Sequence, residues 1–183
     1  MTKDEIEEFI MKFPLYQYEF ISSSEMEFSE TVRQMCKLSC RHYNTSWSCP
    51  PAVGKVEECK EHCMRFEDAL IMSTVTKLDG YDHEKETREA KKVHSELTRL
   101  IDDKFKNEHY VTYTLASGEC RLCARCTFPR DYCRHDKEMY PCVESQGISI
   151  SQLAEVCGMD YYMENGLLLL FSIIFYKDTG FVD

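Results

Sequence analysis

The chain has 183 residues, of which 43% are hydrophobic, and this is enough apolar material for the core of one domain. Its formal net charge of −10 is opposite in sign to that of a typical nucleic-acid-binding domain, which excludes that class of protein. The acidic start, residues 1–12, lacks the apolar stretch of a signal peptide. The longest apolar run, 167–175, is about half of the roughly 20 residues that a membrane-spanning helix needs. We therefore expect a single cytoplasmic domain over residues 1–183, without a membrane segment.

Hydrophobic periodicity predicts alternating helices and strands along the chain. Apolar residues at helical spacing predict helices at 3–13, 29–35, 55–66, 83–106 and 149–157, with Ser29 and either Ser149 or Ser151 as candidate caps. Alternating or continuous apolar stretches predict strands at 15–21, 69–75, 110–116 and 166–176. The expected fold is therefore mixed α+β, a central sheet flanked by helices, with two cysteine-rich cluster-binding loops at 36–63 and 118–142.

The longest predicted helix alternates acidic and basic residues, and its carboxylates are expected to face solvent. Five apolar side chains are predicted to form its buried stripe: Val93, Leu97, Leu100, Ile101 and Phe105.

Eleven cysteines are far more than a chain of this length usually carries. In a cytoplasmic protein disulfides are rare, and clustered cysteines more often hold metals. The odd count and the uneven spacing also argue against a disulfide framework. The cysteines are therefore predicted to be metal ligands.

The second cysteine segment, 118–142, is ferredoxin-like. Cys120, Cys123 and Cys126 form a C-x2-C-x2-C motif, and Cys133 follows after six residues. Three thiolates at this spacing can hold three corners of a [4Fe–4S] cluster, with a fourth cysteine closing the site. Zinc, the alternative metal, usually takes two separated C-x2-C pairs. Cys133 is the predicted fourth ligand; it could instead serve another cluster, with Cys142 as the alternative.

The first cysteine segment, 36–63, predicts a second cluster. Cys36, Cys40 and Cys49 lie in a stretch expected to be irregular, whereas Cys59 and Cys63 are four residues apart on one predicted helical face. The hypothesis is that Cys59 or Cys63 completes the set. The alternative is that both are ordinary small buried side chains, as cysteines often are.

Trp47, the single tryptophan, precedes Cys49 by two residues. It is either a shield between a cluster and water, which would change the reduction potential, or a plain core anchor.

Several strings in the two segments match a known family in combination. They are Cys36-x3-Cys40, YNTSWSCPP at 43–51, GECRLCARC at 118–126, Cys133-Arg134-His135 and ESQGISI at 144–150. With these strings the chain resembles the DUF2284 family of predicted metal-binding proteins, over roughly residues 33–176. It departs from the family pattern at Asp136, where a proline is usual, and near Cys142, where a small hydroxyl residue is usual. Cys142 is thus either an additional ligand or a local substitution.

The resemblance implies metal binding through these cysteines, as iron–sulfur clusters, in a protein of anaerobic prokaryotes linked to corrinoid or other low-potential redox systems. It implies no particular reaction.

The predicted function is electron transfer or redox activation, with two [4Fe–4S] clusters serving a redox partner protein such as a corrinoid or radical enzyme. The protein is expected to be an accessory carrier rather than an enzyme, and no catalytic residue is predicted. Two alternatives are an enzyme that binds a small substrate at an open cluster site and a zinc-stapled structural or binding module. The predicted ligands are Cys36, Cys40, Cys49, Cys59, Cys63, Cys120, Cys123, Cys126 and Cys133.

Overall fold

The computed structural model describes residues 3–162 and 166–179. Within these ranges the helices are α1 Lys3–Ile10, α2 Glu30–Ser39, α3 Val56–Cys63, α4 His83–Asn107 and α5 Ile150–Val156. The strands are β1 Gln17–Ser22, β2 Asp68–Lys77, β3 Tyr110–Leu115 and β4 Leu167–Asp178. Two short 3₁₀ turns cover Ser23–Glu25 and Glu144–Gln146. The mixed α+β class predicted from periodicity is confirmed.

The start of α2 follows the sequence prediction, but its end does not. The Ser29 side chain accepts a hydrogen bond from the Thr31 amide and caps the helix. The helix continues to Ser39 rather than stopping near residue 35, because the lysine and leucine of its last turn are good helix formers. Cys36 therefore lies on a helix and not in an irregular loop.

The four strands form one antiparallel sheet in the order β1-β2-β4-β3. The long central strands β2 and β4 place Leu70 opposite Ile174 and Ile71 opposite Ile173. Successive side chains in a strand point to opposite faces, so each face of the sheet receives its own apolar set.

Helices α1 and α4 cover one face of the sheet. The buried apolar side chains of that layer are Ile6, Ile10, Leu70, Met72, Ile101, Phe105, Ile174 and Tyr176. Helices α3 and α5 and the chain around Val143 cover the other face. That layer includes Cys63, Phe66, Ala69, Ile71, Leu115, Val143, Ile148, Leu153, Phe171, Ile173 and Phe175. The sheet thus lies between two apolar layers, which together exclude water from both of its faces.

The buried stripe predicted for α4 is wrong at two positions. Val93 and Leu100 are about half exposed, while His94, Thr98 and Asp102 are buried beside Leu97, Ile101 and Phe105. The helix is turned so that these polar residues face the sheet and the loop packed on it, where they find partners. His94 Nδ1 lies 2.8 Å from Thr74 Oγ1, and Thr98 Oγ1 lies 2.9 Å from Ser172 Oγ.

The cysteine segment after β3 leaves the sheet and returns to the same place. Ala116 and Cys142 form a parallel β-bridge. The Ala116 amide donates to the Pro141 carbonyl at 2.8 Å, and the Val143 amide donates to the Ala116 carbonyl at 3.2 Å. These bonds close the segment at its base, so both of its ends are fixed at the end of β3.

Within the described part of the chain, no helix combines the length and the apolar character that a membrane crossing requires.

Candidate metal centres

Four cysteines border a cavity of about 410 Å³ between α2 and the base of the second cysteine segment. They are Cys36, Cys40, Cys49 and Cys142. Cys36 lies on the last turn of α2, and Cys40 is the C-cap of that helix, its amide bonded to the Cys36 carbonyl at 3.2 Å. Cys49 comes from the turns that follow α2. The helix end and the turns thus present three thiols to one space.

Cys142 reaches this cavity from far along the chain. The bridge to Ala116 positions its backbone, and its amide donates to the Ser48 carbonyl at 3.4 Å. Its Sγ donates to Glu144 Oε2 at 2.7 Å, and Cys36 Sγ lies 3.8 Å from the Glu144 carbonyl oxygen. Cys36 and Cys142 therefore converge on the same 3₁₀ turn.

The structure does not bring Cys59 and Cys63 to this cavity. Cys59 is buried on α3, where its Sγ lies 3.3 Å from the Val53 carbonyl and accepts from Arg33 Nη2 at 3.4 Å. Cys63 is fully buried in the apolar layer against the sheet. Both behave as small core side chains, and Cys142 takes the fourth position at the cavity.

Cys120, Cys123, Cys126 and Cys133 border a second cavity, of about 270 Å³. All four are partly buried. Trp47 from the first segment also lines this cavity. Its ring packs edge-on against Phe128 at 5.0 Å, and its Nε1 donates to the Asp131 carbonyl at 3.1 Å. The tryptophan thus covers the second set of cysteines rather than its neighbour Cys49.

All eleven cysteines are free thiols. Burial raises the pKa of Cys36 to about 11, with the nearby Cys40 and Glu144 adding to the effect. Burial likewise raises the pKa of Cys49 and Cys120, and that of Cys142, where Glu144 contributes further. Such thiols hold their protons at neutral pH unless a cation offsets the charge, so metal binding here would release protons.

The donor chemistry of both cavities fits a thiolate-held metal group, since each offers four cysteines and a space of several hundred cubic ångströms. Among the described residues, however, no group of three or more His, Cys, Asp or Glu side chains has the geometry to hold a single metal ion.

Glu119 lies where the two cavities meet and lines both of them. Its carboxylate contacts Arg121 Nη2 at 2.6 Å, His42 Nε2 at 3.6 Å and Lys91 Nζ at 3.8 Å. Burial alone would raise the pKa of Glu119, but its backbone amide, Arg121 and Lys91 outweigh burial and lower it. The ionised carboxylate ties both cysteine segments to α4.

The sequence model of the family described as "Predicted metal-binding protein (DUF2284)" matches residues 19–176. The chain belongs to the DUF2284 family. Neither a curated protein nor a solved structure matches it significantly. The match covers both cavities of this DUF2284 protein and confirms the family resemblance carried by its cysteine strings.

The positions of two residues at the DUF2284 site, Cys142 and Glu119, could not be predicted from the sequence. The sequence offers Cys142 as an alternative ligand of the C-x2-C-x2-C motif, as an additional ligand or as a local substitution, and nothing local connects it to Cys36. Glu119 looked like one acid among 32 acidic residues. Its position directly before Cys120, in a segment rich in arginine, was the one available signal.

Proposed function

We propose that this protein is an iron–sulfur protein of electron transfer or redox activation, with two [4Fe–4S] clusters serving a partner redox enzyme such as a corrinoid or radical enzyme. The observation that carries the proposal is that each of two cavities is bordered by four cysteines, and no cysteine borders both. The proposed ligands are Cys36, Cys40, Cys49 and Cys142 at the first site and Cys120, Cys123, Cys126 and Cys133 at the second.

The C-x2-C-x2-C spacing of Cys120, Cys123 and Cys126 favours clusters over zinc. Tetrahedral zinc with sulfur bonds of 2.3 Å needs its thiolates about 3.8 Å apart. In a cubane each thiolate binds a different iron atom, so the thiolates stand farther apart.

The bound clusters would supply one-electron chemistry, and the residues of the chain would set its conditions. Trp47 and Phe128 limit the access of water to the second site, which shifts reduction potential. The net charge of −10 favours docking to a partner with a basic face. Eleven free thiols suit a reducing compartment such as the cytoplasm.

The test is the content of iron, acid-labile sulfide and zinc per chain after anaerobic purification. The proposal expects about eight iron and eight sulfide with little zinc. About four of each would leave only one site loaded and contradict the two-cluster form. Stoichiometric zinc without sulfide would overturn electron transfer and favour a zinc-stapled structural module.

One observation favours a second candidate, an enzyme that binds a small substrate at an open cluster site. The first cavity is about half as large again as the second, although both have four cysteines, and its size is within the range of ligand pockets. If Cys142 bonded only to Glu144, three cysteines would remain and one iron would be open.

The Cys142→Ala variant separates the two candidates, with Cys157→Ala as the matched control because Cys157 lines neither cavity. If Cys142 is a ligand, its loss removes about half of the iron, whereas the control keeps all of it. Retention of full iron in Cys142→Ala, together with a wild-type EPR signal that already changes on adding cyanide, would instead support the open-site enzyme.

A further inference from the structure

Ser48 lies at the boundary between the two cysteine sites and is fully buried. Its Oγ accepts a hydrogen bond from the Cys120 amide at 3.1 Å and lies 3.7 Å from Cys49 Sγ. Its carbonyl accepts from the Cys142 amide at 3.4 Å. One residue therefore contacts a cysteine of the second site and two cysteines of the first.

The direction of these hydrogen bonds follows from the single proton of a hydroxyl group. Because Ser48 Oγ accepts from the Cys120 amide, its own proton is available to Cys49 Sγ or to Ser46 Oγ, which lies 3.0 Å away. A thiolate is the stronger of these two acceptors. With metal bound, the hydroxyl therefore completes a continuous chain from the Cys120 amide through Ser48 to the Cys49 sulfur.

We infer that Ser48 couples the two sites electronically, so that an electron passes between them along this chain. The inference rests on the proposed function, since it requires a redox group at each site. One electron leaves one site, which is oxidised, and arrives at the other, which is reduced; no atom or proton is transferred. A low-potential one-electron carrier supplies the electron, and the partner enzyme accepts it.

The surroundings of Ser48 suit this role. Ser46 and Cys49 are also buried, so the path between the sites excludes water. Hydrogen bonds to a ligating sulfur raise the reduction potential, which means that Ser48 also adjusts the first site. Two coupled sites can collect two electrons and deliver them in succession to one acceptor.

The experiment compares Ser48→Ala with Ser46→Ala in the loaded, full-length protein. Both hydroxyls lie beside Cys49, but among the described contacts only Ser48 also reaches Cys120. Redox titration followed by EPR gives the midpoint potential of each site, and Cys123→Ala identifies the signal of the second site. Fully reduced protein gives the magnetic interaction between the sites.

Wild-type protein is expected to show split EPR signals when fully reduced. Ser48→Ala should lower the potential of the first site, shift that of the second and weaken the splitting. Ser46→Ala should lower only the first potential and keep the splitting. Ser48→Thr, which retains the hydroxyl, should keep the splitting as well.

Two results would overturn the inference while leaving the proposed function intact. The first is a loaded wild-type protein with two independent, unsplit signals. The second is a Ser48→Ala protein whose splitting and second-site potential match those of Ser46→Ala. If Ser48→Ala fails to hold iron, the splitting of the EPR signals in wild type and in Ser48→Thr still tests the coupling. Failure of the proposed function is seen earlier, as the absence of iron and sulfide.

Discussion

At the residue scale, His94 is a histidine that must remain uncharged. It is 2% exposed in the middle of α4, and its Nδ1 is within hydrogen-bonding distance of the Thr74 hydroxyl. Burial lowers its pKa from 6.5 to about 4, because the charged imidazolium loses its hydration there. The unfolded chain binds a proton at this histidine below about pH 6.5, and the folded chain does not until the pH approaches 4.

This difference predicts that stability falls as the pH decreases from about 6.5 toward 4, since protons then bind preferentially to the unfolded state. At about pH 5.5 the loss from His94 is about 1.2 kcal/mol relative to pH 7. His94→Gln should show a shallower fall between about pH 7.5 and 5.5 in urea unfolding. The matched control is His83→Gln, at an exposed position on the same helix. Equal slopes for wild type and His94→Gln would contradict the prediction.

At the element scale, α4 anchors the end of the second cysteine segment. The Tyr140 hydroxyl donates to Asp102 Oδ2 at 2.5 Å, and Lys106 Nζ donates to the same oxygen at 2.7 Å. The Arg99 guanidinium lies over the Tyr140 ring at 4.4 Å. Asp102 is fully buried, so these contacts compensate a charge that has lost its water. Tyr140 precedes Cys142 by two residues, and the anchor therefore positions a proposed ligand.

Tyr140→Phe removes one partner of this buried carboxylate. We expect a loss of about 1–3 kcal/mol in the free energy of unfolding, together with faster loss of iron from the first site. Tyr132→Phe, on the same segment but highly exposed, is the control and should change neither quantity. The measurements are urea unfolding and the rate of iron release to a chelator. A variant as stable as wild type would show that the contact with Lys106 alone is enough to stabilise the buried Asp102 carboxylate.

The same helix shows where sequence patterns stop being informative. Periodicity predicted its existence and its length well, because 25 residues of amphipathic sequence give a strong local signal. It was wrong for Val93 and Leu100. It also missed the buried polar residues His94, Thr98 and Asp102, because these are stabilised by partners on β2, β4 and the second cysteine segment. Those partners are far away in the sequence and leave no local pattern.

The two candidate sites also differ in how far the sequence predicts them. The C-x2-C-x2-C spacing predicted that Cys120, Cys123, Cys126 and Cys133 share one space, and the structure places them around one cavity. The fourth cysteine at the first cavity is Cys142, and the β-bridge to Ala116 brings it beside Ser48. Spacing alone favoured Cys59 or Cys63 as the fourth ligand, because both are near the first three cysteines in the sequence. In the structure both are buried by packing instead.

At the scale of the whole molecule, the apolar layers and the two cysteine cavities are largely separate. The core on both faces of the sheet consists mainly of helix and strand side chains, and none of the eight proposed ligands belongs to it. The stability of the sheet should therefore depend little on metal, in contrast to small metal-dependent domains, which unfold without it.

Removal of metal by anaerobic chelation is expected to leave the sheet folded. Hydrogen exchange should remain slow in β2 and β4 and become faster in 118–142 and around Cys40 and Cys49, where turn hydrogen bonds rather than a sheet hold the backbone. Mass spectrometry of deuterium uptake with and without metal gives the comparison. Uniformly fast exchange in the metal-free protein would mean that the bound metal stabilises the entire fold.

The position of β4 in the sheet has a consequence for biosynthesis. This strand lies between β2 and β3, yet it follows both cysteine segments in the chain. During translation β3 has no neighbour to pair with until β4 leaves the ribosome, and the base of the second cysteine segment lacks its support until then. All eight proposed ligands are thus synthesised before the sheet can close. The nascent thiols must stay reduced during this interval, and cofactor insertion is expected to follow chain completion rather than accompany it.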